Sequence, residues 1–107
     1  MQTITEGRAT AVVINGAVHV LKPSLSSYGL TLNGVRRSYC FQDGCCDYGL
    51  RPDVASVVEK AKAFGAKVVI IRTGQRDLRL REIVGLPVED VSNHVGQIDE
   101  GIFISRR

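Results

Sequence analysis

The sequence predicts a mixed α and β domain, α/β of the α+β kind, in which a mixed sheet with N-terminal antiparallel hairpins carries one principal helix. Three observations predict it. Two Asn-Gly pairs each lie between apolar runs, residues 52–64 space their apolar side chains by three and four, and Val68-Val69-Ile70-Ile71 follows at once.

The first hairpin runs over residues 8–21. Ala11-Val12-Val13-Ile14 leads to Asn15-Gly16 and then Ala17-Val18-His19-Val20-Leu21. Asn-Gly favours a type I′ turn, because both central residues need positive φ. His19 falls on the opposite face from Val18 and Val20. Lys22-Pro23 ends the strand, since proline offers a ladder no donor. A second unit follows: Leu30-Thr31-Leu32, Asn33-Gly34, then Val35 to Phe41. Val35, Arg37, Tyr39 and Phe41 share one face; Arg36, Ser38 and Cys40 share the other. The repeat of Asn-Gly suggests a four-stranded meander. Residues 42–50, with two glycines and two aspartates, read as a loop.

The helix begins around Pro52, favoured where the first N–H lacks a partner. Asp53 complements the positive helix start. Val54, Val57, Val58, Ala61 and Phe64 make one apolar stripe. Gly65 sits where a left-handed cap is wanted. Residues 67–71 form a strand apolar on both faces and therefore central. Thr73-Gly74-Gln75 is a turn. Leu78 and Leu80 suit an edge strand or one helical turn, and Ile83-Val84 another strand. Pro87 opens a short helix with Glu89 and Asp90 in its first turn and Val88, Val91 and Val95 on one side. Ile102-Phe103-Ile104 is the last strand, and Arg106-Arg107 a solvated tail.

A chain of 107 residues is a single domain, 1–107, large enough for one core without staples. No apolar run approaches the roughly 20 residues of a membrane helix. The first residues show no basic region ahead of an apolar one, so a cytoplasmic address is expected. The net charge is +3, and ten of the 14 basic residues are arginine. Arginine's planar fork suits phosphate and carboxylate.

Three sets of residues can carry chemistry. Cys40, Cys45 and Cys46 lie beside Asp47, but a structural zinc site usually needs four ligands in spaced pairs, so no metal is expected. A reactive thiol among the three needs a base, and none is near in sequence. The reading that needs least is small apolar cysteines beside a loop. Arg72, Thr73, Gly74, Gln75 and Arg76 follow the central strand, where α/β sheets gather ligands, and could hold a small anionic ligand. GxGxxG and GxxxxGK[ST] are both absent, so no cofactor is expected. Arginines 72, 76, 79 and 81, with Arg36-Arg37 on the hairpin, could meet RNA, yet only Tyr39 and Phe41 sit near a basic pair. Nucleic acid is disfavoured on that ground. HExxH, GxSxG and CxxC are absent, and His19 and His94 read as structural.

Tyr48 to Val54, Val68 to Gln75 and onward to Leu80, with Leu86-Pro87, Val91 and Asn93 beyond, resemble the adipogenesis-associated domain family. That family includes a mitochondrial complex I assembly factor. The resemblance implies a three-layer α/β domain without established catalysis that acts in assembly or binding. The chain departs from the family at Ile102-Phe103-Ile104-Ser105, which lacks a His-x-Thr-Cys-like finish.

The function expected is a non-enzymatic binding or assembly module that self-associates as a homo-oligomer, because one helix leaves a sheet face to bury. The alternatives are a ligand-binding protein or small enzyme using residues 72–76, and RNA binding.

Overall fold

The computed structural model describes residues 1–23, 28–41, 51–73 and 78–106, apart from the side chains of Arg51, Leu78 and Arg79. Its strands are β1 (Gln2–Glu6), β2 (Ala9–Ile14), β3 (Ala17–Lys22), β4 (Tyr28–Leu32), β5 (Val35–Tyr39), β6 (Val68–Ile71), β7 (Val88–Asp90), β8 (Gly96–Asp99) and β9 (Ile102–Arg106). The helices are α1 (Arg51–Lys62) and α2 (Leu78–Val84), and a 3₁₀ turn spans Val91–His94. Six strand pairings are antiparallel and two, β3–β6 and β6–β7, are parallel. The domain is therefore α+β and sheet-dominated, with one main helix.

Both hairpin turns form as their Asn-Gly pairs require, with φ of 50° and 79° at Asn15 and Gly16, and 49° and 86° at Asn33 and Gly34. The hairpins do not make a meander. β3 pairs with β5, through Leu21↔Tyr39 and Lys22↔Ser38, and β4 lies outside β5 against β9. β3 is a fork. Residues 17–19 pair with β6, while residues 21 and 22 pair with β5.

The fork lets the sheet fold over itself. Val12, Ile14, Leu21 and Ile70 from β2, β3 and β6 share one buried cluster with Leu30, Ile102 and Ile104 from β4 and β9. In a flat sheet β2 and β9 would stand four strand spacings apart, about 19 Å. Their common cluster requires the β5–β4–β9–β8 wing to cover the face of β2, β3 and β6 away from the helices. The other face, with Ala11, Val13, Val18, Val20, Val69 and Ile71, packs on Val54, Val57, Val58 and Ala61 of α1 and on Leu80 and Val84 of α2. The chain's own strands thus bury the face that had suggested a partner.

β1, not anticipated from its short polar Thr-Ile-Thr alternation, pairs along its whole length with β2. Its turn is fastened to α1. The Arg8 N–H donates to Asp53 Oδ2 at 3.1 Å, and Gly7, at φ +55°, lies so close that a Cβ there would stand 2.4 Å from the same oxygen. Asp53, at the helix start as expected, also holds this turn, and Lys60 and Glu6 form an ion pair nearby.

Four expectations need correction. Phe64 is 48% exposed, because α1 ends at Lys62 and the turn to Gly65 breaks the helical spacing. Ile83-Val84 is helix rather than strand: Leu80 and Val84, four apart, face the core, and Ile83 points out. Pro87 opens no helix. Val88–Asp90 runs parallel to β6, and Asp90 accepts from the Ser92 N–H to cap the 3₁₀ turn. Only Val91 of the expected apolar side is buried. Arg106 is no tail residue but the end of β9; Arg107 lies outside the described residues.

Candidate functional site

Five side chains that are remote in sequence meet where the strands end. β3 ends at Lys22, β6 leads into Arg72, β9 ends at Arg106, and β4 begins at Tyr28. Cys40 and Phe41, just beyond β5, enter the gap opened by the fork. The Cys40 N–H donates to the Val20 carbonyl at 3.0 Å, and the Arg72 N–H donates to the Cys40 carbonyl at 2.9 Å. Phe41 and Arg72 are then bridge partners, and Tyr28 and Arg106 are cross-strand partners. Strand alternation sets Tyr28, Phe41, Arg72 and Arg106 on the face of Leu30, Tyr39, Ile70 and Ile104. They stand at one end of the core between the two sheet layers.

Cations and rings alternate there. The Arg72 guanidinium carbon lies 4.3 Å from the Phe41 ring centre and 5.6 Å from that of Tyr28. Lys22 Nζ is 5.7 Å from the Phe41 ring centre, and the Arg106 guanidinium carbon 5.7 Å from that of Tyr28. A cation over an aromatic face is attracted by the ring quadrupole. A guanidinium held by its flat face keeps its edge N–H groups for an acceptor. Among the described residues, no carboxylate forms an ion pair with Arg72 or Arg106. The arrangement can bind an anion. These cations supply positive charge and N–H donors to the site.

A second polar group runs inward from the 3₁₀ turn. His19, Ile70 and Glu89 are successive partners across β3, β6 and β7. His94 Nε2 donates to Glu89 Oε2 at 2.6 Å near the surface. In the interior, His19 Nδ1 and the Tyr39 hydroxyl share a hydrogen bond of 2.8 Å, with both side chains buried. Burial lowers the His19 pKa from 6.5 to about 4, with a smaller push from His94, and burial raises that of Tyr39. This pair is a satisfied polar contact inside an apolar layer, which fits the structural reading of His19.

No family model, curated protein or solved structure matches this chain. Of the anion-loop candidates, Arg72 and Thr73 lie at the strand end; Gly74, Gln75 and Arg76 fall outside the described residues. Cys40 is fully buried in the helix-side core, where a thiol packs as a small apolar group. Cys45, Cys46 and Asp47 fall outside the described residues. So does the expected 42–50 loop. Among the described residues no three His, Cys, Asp or Glu side chains gather as a metal site, and no helix is long and apolar enough to cross a membrane. A shallow groove of about 560 Å³ beside Arg81, Gly85 and Pro87 involves none of the groups above.

Lys22, Tyr28 and Arg106 went unnoticed as site residues. Their only signal is register. Nothing near Tyr28 in sequence announces that Arg72 lies over its ring.

Proposed function

We propose that the protein is a non-enzymatic binding module for an anionic ligand, held at the end of the interlayer core. One observation carries the reading: Arg72 lies over both Phe41 and Tyr28, without a carboxylate partner among the described residues. Its place beyond the carboxyl end of β6, which runs parallel to β3, suits the location at which such sheets gather ligands. Stacking fixes the guanidinium before a ligand arrives, which lowers the ordering cost of binding. Lys22 and Arg106 extend the same positive field.

Self-association would follow from an uncovered sheet face. That face is covered by β4, β5 and β9, so binding rather than assembly is the reading supported.

The test is thermal unfolding with inorganic tripolyphosphate in low-salt buffer. The melting temperature should rise with ligand concentration, and the rise should vanish in Arg72→Ala and shrink in Arg106→Ala. An unchanged melting temperature up to millimolar tripolyphosphate would count decisively against an anion site.

A further inference from the structure

We propose that the anion is the backbone of a single-stranded nucleic acid, with a base stacked at the cation–aromatic group. The inference rests on the anion-binding reading above and adds the ligand's class.

Two features of the site favour a strand over a compact anion. First, the cations are spread out. Arg72 serves both rings, Lys22 lies at Phe41 and Arg106 at Tyr28. A small anion is best held by donors that converge on one point; a chain of phosphates is best met by charges in series. Second, flat π surfaces are interleaved with the charges. Phe41 and Tyr28 are half-buried, and Arg106, over Tyr28, is exposed. Non-specific single-strand sites combine a positive track with aromatic or guanidinium faces on which bases stack. Phosphate is met by the guanidinium edges; the flat faces of rings and guanidinium groups add a surface that a base can use.

The same comparison explains why the sequence pointed away from nucleic acid. Tyr39, one of two aromatics near a basic pair in sequence, is fully buried and bonded to His19. The second ring, Tyr28, comes from the far side of β4, delivered by the β4–β9 register.

The experiment is fluorescence anisotropy of the full chain with labelled twelve-nucleotide single-stranded RNA and DNA. A strand of the same length and charge carrying abasic positions, and inorganic polyphosphate, serve as competitors. Native strands should bind about tenfold more tightly than the abasic strand for each base stacked. Three phosphate contacts predict a log–log salt slope of about −2. Arg72→Ala should flatten that slope, whereas Phe41→Leu should remove the preference for native over abasic strand. Rings and cations meet base faces and phosphates common to both, so a difference in affinity between the RNA and DNA arms is what identifies the source of the strand. Equal binding of abasic strand, polyphosphate and native strand overturns the nucleic-acid assignment and leaves the anion site standing. Binding of none of them overturns both. The native–abasic comparison uses the unaltered protein, so a poorly folding variant cannot obscure it.

Discussion

The two cores of this domain are built from consecutive residues of the same strands, yet they differ in kind. Toward the helices, β2, β3 and β6 present Ala, Val and Ile, and α1 answers with three valines and an alanine. Toward the β4–β9 wing, the same strands present Val12, Ile70 and Leu21, but also His19 against Tyr39, and the layer ends in stacked arginines. The first region is a uniform apolar contact. The second has polar groups inside it and charge at its edge, features that a chain retains at a cost to stability.

Ile70 and Ile71 separate the two regions most sharply, since neighbours in a strand point to opposite layers. Both are fully buried. Ile→Ala at either should cost about 3 kcal/mol in denaturant unfolding, the largest effects expected here. Equal losses would show that both layers are needed for one cooperative unit. Should Ile70→Ala prove nearly neutral, the wing is not packed on the sheet as described.

The pH dependence of stability belongs to the second region alone. In the folded chain His19 takes a proton only near pH 4, whereas in the unfolded chain it does so near 6.5. Between these values the unfolded state binds more protons, so stability falls as pH drops through the window and is fully present above it. The complete loss is of order 3 kcal/mol. Most of it should appear between pH 6.5 and 4.5, before carboxylates dominate. In His19→Gln this component should disappear from melts recorded across that range, even if the variant is weaker at pH 7. Tyr39→Phe tests the same pair by a smaller amount. It leaves His19 without its hydroxyl partner and should cost about 1–2 kcal/mol at pH 7.

The first region was legible because its information is local. Asn-Gly sets a turn by its own backbone preference, and Val54, Val57, Val58 and Ala61 declare a helix face within eight residues. The valine–isoleucine run after Gly65 declares a strand covered on both sides. The second region depends on pairings that close long loops. β4 finds β9 seventy residues later, and β3 leaves β4 for β5. No local pattern encodes either choice. Residues 78–95 misled for a different reason. They are short elements in which Leu-x-Leu and Pro-Val-Glu-Asp satisfy helix and strand templates equally, and packing on α1 and β6 decides. At the candidate site Arg72 and Thr73 were within reach of sequence reasoning as the end of a central strand, and Phe41 as an aromatic near Arg36-Arg37. The ring of Tyr28, and the placing of both rings against Arg72, were not.

The smallest expected effect is at Arg72 itself. Its guanidinium lies at the rim rather than inside, so Arg72→Ala should lower stability by no more than about 1 kcal/mol. The corresponding loss for Phe41→Leu should be of similar size. A chain that keeps an arginine over two aromatic rings gains little fold stability from it, which is what a site reserved for a ligand predicts. If chemical denaturation instead shows a loss near 3 kcal/mol for Arg72→Ala, the stacked cations brace the end of the interlayer core. Their arrangement then needs no ligand to explain it.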